Sequence, residues 1–190
     1  MTTSATKVSS AVDVTDESFD AGKAGDYHLS ILLENEFHAF ADLDKKSNKY
    51  LLLRKTVTKT GALDFSSITS LTKSTNWGSI SLSIANSKFS LIPTPLFDDS
   101  SKQSLLGFNH IIDEDEKIHS DKLKNTETRN VFTISRKLEA EIRKEFPTAL
   151  IIHCATALID GILFQNKNHF LENPKKNTEM VFDKLGRVIA

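Results

Sequence analysis

The chain has 190 residues, with 24 basic and 25 acidic side chains and a formal net charge of −1. That balance supplies no global field to recruit nucleic acid or an anionic membrane. A single cysteine, Cys154, excludes an intrachain disulfide and any multi-cysteine zinc site.

With 39% hydrophobic and 26% charged residues, the composition is that of a chain able to bury one good core. No apolar run approaches the roughly 18 residues of a membrane span. The N-terminus carries no apolar signal region either, so the expected compartment is the cytoplasm. Residues 1–25 are rich in Ser, Thr, Ala and Asp and read as a mobile tail, ordered at most near Phe19.

Three strands follow. Tyr27, Leu29, Ile31 and Leu33 alternate with more polar neighbours, the mark of a half-buried strand. Glu34-Asn35 reads as a tight turn, pairing Leu33 with Glu36 and bringing Ser30 near Ala39. The next run sets Phe37, Ala39, Ala41 and Leu43 against His38, Phe40 and Asp42. After a solvated turn at 44–48, Tyr50-Leu51-Leu52-Leu53 reads as a third strand buried on both faces.

Further on, Asp64 is placed to cap a short helix carrying Phe65, Ile68 and Leu71, ended by Asn76-Trp77-Gly78. Ile80, Leu82 and Ile84 alternate with serines, as do Phe89 and Leu91, before Pro93 and Pro95 forbid a central strand. Asp98-Asp99 opens a helix closing near Gly107, and 117–123 reads as a short edge strand. Val131 to Ile134 is a further strand. Ser135 then caps a helix to Phe146, with Leu138, Ile142 and Phe146 on one face. Residues 149–154 form the most apolar run and suit a central strand, followed by a helix from about Thr156 to Phe164. Residues 166–177 read as a linker, and 179–190 as a hairpin.

Three meandering strands followed by helix–strand alternation is the pattern of an actin-like ATPase or ribonuclease H-like half-domain, an α/β class with a mixed sheet. The opening YHLSILLENEFHAFADLDKKSNKYLLL, the middle KFSLIPTPLFDD and the later FPTALIIHCATALIDGIL resemble a bacterial family of uncharacterised proteins, domain of unknown function thirty-eight twenty-two. The resemblance spans about Phe19 to Phe164 and implies an actin-like ATPase fold. It places an actin-like domain over 26–165 and makes 166–190 the start of a second half.

In that fold a nucleotide would lie against the first hairpin, where glycine lets backbone N–H groups approach phosphate. Here the position holds Leu33-Glu34-Asn35-Glu36, with two carboxylates and no glycine. ATP hydrolysis is therefore not expected.

Other candidate chemistry is weaker. Asp42 and Asp44, with Asp26, could join a two-metal nuclease site, but they read more simply as flanking an exposed turn. Asp113-Glu114-Asp115-Glu116 lacks the glycine and spacing of a calcium loop and reads as a solvated acidic loop. His153 and Cys154 are adjacent, so on a strand they point to opposite faces and cannot act as a base–nucleophile pair. His28 and His38 could meet across the hairpin, while His110, His119 and His169 are scattered. Lys45, Lys46, Lys49 and Arg54, with Lys175 and Lys176, lack interleaved aromatics and read as a solvated face. No catalytic residue, metal or cofactor is assigned.

The leading expectation is a non-catalytic actin-like module for protein–protein contact or assembly, pairing through the C-terminal hairpin, with no nucleic acid or membrane partner. The alternatives are an ATPase or phosphotransferase needing a second half, and a metal-dependent nuclease of the ribonuclease H type.

Overall fold

The computed structural model describes residues 10–34, 36–57 and 76–172. Its centre is an antiparallel meander of β2 (Tyr27–Leu33), β3 (Phe37–Asp44) and β4 (Lys49–Val57). Tyr27, Leu29, Ile31 and Leu33 are all buried, as their alternation predicts. The Glu34 N–H donates to the Phe37 carbonyl at 3.1 Å, so the ladder continues to Glu34 and the turn expected at Glu34-Asn35 is corrected. The register moves by two residues as a result, and Leu33 faces His38 instead of Glu36.

That register settles which face of β3 looks inward. His38, Phe40 and Asp42 share the face of Leu33, Ile31 and Leu29 and are buried. At the second turn Asn48 takes a φ of 54°, a left-handed conformation that Asn tolerates better than most residues. The expectation of burial on both faces of β4 is corrected. A register shift interrupts the β3–β4 ladder near Leu43, so Leu51 is buried while Tyr50 and Leu53 are exposed.

Two parallel strands extend the meander: β5 (Ser79–Ile84) lies beside β2, and β9 (Leu150–His153) lies beside β5. On the other side β1 (Ser10–Thr15) pairs antiparallel with β4, giving the six-stranded order β1-β4-β3-β2-β5-β9. The tail expected over 1–25 is thus corrected from Ser10 onward. Val12 and Val14 stay exposed, so backbone pairing rather than burial holds β1, and composition gave no sign of it. A 3-10 turn at Ala21–Asp26, capped by Asp20, leads into β2. The expectation that 149–154 is central is corrected too. Among the described residues β9 closes the sheet edge, and its apolar character serves Ile151 and His153, which face the core, while Leu150 is exposed.

A second sheet of order β6-β8-β7 joins β6 (Phe89–Pro93), β8 (Thr128–Ser135) and β7 (Glu116–Lys122). Between β6 and β7 runs the short helix α1 (Lys102–Gly107), preceded by a 3-10 turn that Asp98 caps. Helix α2 (Arg136–Glu145) follows β8, with Ser135 accepting from the Leu138 N–H at its start. Phe132, Ile134, Ile142 and Phe146 from these elements pack with Leu29, Ile31, Leu33, Leu82 and Ile84 into one core. Helix α3 spans Cys154–Glu172, so the linker expected from 166 is corrected through Glu172. The helix expected after Asp64 and the hairpin at 179–190 lie outside the described residues.

Trp77 and Gly78 tie β5 to the 3-10 turn. The Gly78 N–H donates to the Ala24 carbonyl at 3.0 Å, and a Cβ at Gly78 would sit 1.9 Å from the Gly25 carbonyl oxygen. Only a residue without a side chain allows two backbones this close. Gly78→Ala is expected to destabilise the fold by about 2–3 kcal/mol, measured by urea unfolding, and to shift the emission of Trp77, the chain's one tryptophan.

A buried carboxylate in a walled cavity

Asp42 sits in the middle of β3 on the core side and is 1% exposed. Neither carboxylate oxygen has a hydrogen-bond partner among the described residues. Burying an unpaired carboxylate is costly, and that burial pushes its pKa up to about 7. The expectation that Asp42 flanks an exposed turn is therefore corrected. Alternation along β3 could have indicated it, because Asp42 shares parity with His38 and Phe40. The opposite parity set, Phe37, Ala39, Ala41 and Leu43, is the more apolar, so apolar content alone does not mark the buried face.

Beside Asp42 lies a cavity of about 220 Å³. Leu29, Phe40, Leu52 and Arg54 line it from three adjacent strands, and Phe19, Ala21 and Trp77 complete a lining that stays partly open to solvent. Two of these lining residues also bury a polar atom. The Arg54 Nε and the Trp77 indole nitrogen lack partners among the described residues. The Arg54 charge itself is spoken for, since its guanidinium donates to Asp13 of β1 at 3.1 Å.

The other expected residues are distributed differently. Asp44 accepts from the Lys46 N–H and from Ser47 in its own turn, and Lys46 pairs with Asp26 at 2.7 Å. Asp26 and Asp44 thus lock the β3–β4 turn while Asp42 points into the core. Lys49 pairs with Asp16 at 2.8 Å and holds that carboxyl below the usual range, so three of the basic cluster's members already have acidic partners. Among the described residues no three His, Cys, Asp or Glu side chains converge as a metal site.

In the acidic loop, Lys88 bonds Asp113 at 2.6 Å and Glu116 at 2.8 Å, and Thr133 donates to Glu116. Those two carboxylates hold the Lys88 ammonium above its usual pKa. Lys88 thus ties β7 and its preceding loop to the segment between β5 and β6, with two of the loop's four carboxylates sharing one ammonium.

His28 and His38 do not meet. Their cross-strand partners are Leu43 and Leu33, which puts them on opposite faces of the sheet. His28 bridges Ser79 and Ser81 of β5 at 2.8 and 3.0 Å, and burial lowers its pKa. His153 is fully buried between the rings of Phe89 and Phe132. Its Nδ1 accepts from the Ala155 N–H, which leaves Nε2 to donate to the Asn86 carbonyl at 3.2 Å. Burial depresses its pKa, so it is a neutral core histidine. Its backbone N–H donates to Asp121 of β7 at 2.7 Å, just before the start of α3. Burial and the nearby Glu34 charge both push the Cys154 thiol up, away from a reactive thiolate.

The β2–β3 hairpin borders a second concavity of about 190 Å³, lined by Leu33, Glu34, Ala85, Asn86, Glu116 and Ser135, among others. Two carboxylates face it. A meander followed by two parallel strands, backed by helices and a smaller sheet, defines an α/β protein of the actin-like ATPase fold. A crystal structure of a protein with actin-like ATPase fold and unknown function, from Bacteroides thetaiotaomicron VPI-5482, is similar at a TM-score of 0.70 and 21% identity. The match covers 78% of this chain and 60% of that one. The family model described as "Protein of unknown function (DUF3822)" matches residues 16–180, and the chain belongs to that family. No curated protein matches it. No helix among the described residues is long and apolar enough to cross a membrane.

Proposed function

We propose that this chain is a non-catalytic actin-like module that works by self-association, docking against a second copy of itself. The observation that carries this reading is the outer face of α3. Leu158, Ile162 and Phe164 are 65%, 49% and 59% exposed, with exposed Ala157 and Gly161 between them. Helical spacing gathers these residues on one side of the helix. A patch of large apolar side chains at that exposure is characteristic of a contact surface. The carboxylate of Glu34 and the lack of any glycine at the first hairpin support a non-catalytic role, because they oppose a triphosphate where the fold would seat it.

Light scattering over a concentration series, paired with a magnesium–ATP titration, tests the proposal. The expected result is self-association that grows with concentration, is abolished in the double variant Leu158→Glu/Ile162→Glu, and is accompanied by no ATP binding. A strict monomer at the highest soluble concentration, or tight magnesium-dependent ATP binding, would overturn it.

A further inference from the structure

The apolar stripe on α3 needs a surface to receive it, and the opposite end of the sheet offers one. There the end of β1 and the start of β4 frame an open concavity of about 540 Å³. Val14, Tyr50 and Leu53 line it and are 60%, 67% and 49% exposed. Val14 faces Leu53 across the β1–β4 ladder, and Leu53 faces Ala41 on β3. Both therefore project from the side of the sheet opposite Phe40 and Asp42. Near the irregularity in the β3–β4 ladder Leu51 turns inward, which leaves Tyr50 outside.

Charge favours the same match. Ala157, Leu158, Gly161, Ile162 and Phe164 carry no ionisable group. In the concavity Lys49 and Asp16 already hold each other at 2.8 Å, and Glu17 is exposed. An uncharged helix laid there breaks no ion pair. Phe108 and Ile111 are exposed as well, but they directly precede the acidic run 113–116. Cover by an apolar stripe at that place would desolvate the carboxylates of Glu114 and Asp115. Helix α3 packs on β9 and β5, and five strand spacings of ~4.8 Å separate β9 from β1. Stripe and concavity are both open on one chain, so they meet only between chains.

We infer that the concavity at Val14, Tyr50 and Leu53 receives the α3 stripe of a second copy. This assignment rests on the self-association reading and names the surface that the stripe docks against. Two different patches meet, so the contact is heterologous. Each added copy keeps one free stripe or one free concavity, and assembly runs head to tail.

Mixing two disabled chains tests it. Val14→Glu/Leu53→Glu disables the concavity and Leu158→Glu/Ile162→Glu the stripe, and all four sites are exposed. The concavity variant alone is expected to self-associate about tenfold or more weakly than the unaltered chain in light scattering. An equimolar mixture of the two variants is expected to form a one-to-one complex and nothing larger, because one intact stripe and one intact concavity remain. A second measurement leaves the concavity unaltered, so it stands even where a strand variant fails to fold. A photoreactive benzophenone amino acid replaces Phe164, and cross-links to an isotope-labelled second copy are mapped, with 14–17 and 49–53 as the expected targets. A concavity variant that associates as the unaltered chain does, while the stripe variant is monomeric, would overturn the assignment and spare the self-association reading. So would a mixture that stays monomeric, or cross-links confined to α3 or to 108–111 of the second copy. A strictly monomeric unaltered chain would overturn both.

Discussion

Asp42→Asn is expected to make the protein more stable at pH 8 and to flatten a pH dependence that the unaltered chain shows. The folded carboxyl titrates near pH 7, above the ordinary value of 3.8. A group whose folded pKa is raised binds its proton more tightly when folded. Its contribution is fully present below pH 3.8 and is lost as pH climbs through 7. The shift corresponds to about 4 kcal/mol across that window, and to roughly 3 kcal/mol between pH 5 and pH 8. Asparagine keeps the size and carries no proton to lose, so the gap between variant and parent should open as pH rises. Urea unfolding of both proteins at pH 5 and pH 8 measures it. A gap that is constant with pH, or that opens on the acid side, would show that Asp42 is not ionising in a dry environment. Depressed histidines such as His153 and His28 act in the opposite sense, which is why the difference between the two proteins is the quantity to follow.

The second large effect is expected at Phe132. Its side chain on β8 is fully buried, stacks on His119 and His153, and belongs to the core shared by both sheets. Phe132→Ala removes most of that contact and leaves a hole bounded by rigid strands, for an expected loss of about 3–5 kcal/mol. Against a typical domain stability of ~5–15 kcal/mol, this is a severe change. Near-ultraviolet circular dichroism and the unfolding midpoint report it. A loss below about 1 kcal/mol would mean the two sheets do not share one core.

How much of this could be read from the residues follows from what each element depends on. Strands β2 to β5 and helix α2 were legible because their side-chain periodicity reports burial on one face and because turns and caps such as Ser135 punctuate them. β1 was not legible, since Val12 and Val14 remain in solvent and the strand exists through its ladder with β4. The edge position of β9 was misread because an apolar run says a strand is buried without saying how many neighbours it has. The hairpin register was off by two residues because Glu34-Asn35 and the adjacent pair are equally suited to a tight turn. The cavity was invisible for a related reason. Its residues lie on β1 to β4, the segment before β2 and the one before β5, and the parallel addition of β5 to β2 brings Trp77 to the same cavity as Asp42. The glycine-free composition of the first hairpin, by contrast, was plain in the sequence, because it is a matter of residue identity rather than placement.

The parallel pairing of β5 with β9 bears on how the chain is made. Ser81 pairs with Leu150, 69 residues later. While a ribosome adds those residues, the meander and β5 can already assemble, but one flank of β5 keeps its backbone groups unsatisfied until the C-terminal third emerges. Contacts closed over so long a span form slowly, and an open strand flank during that interval invites wrong partners. The serines of β5 at 79, 81 and 83 put hydroxyls rather than hydrocarbon on one face of the waiting strand, which lessens the hazard of adhesion to a neighbouring nascent chain.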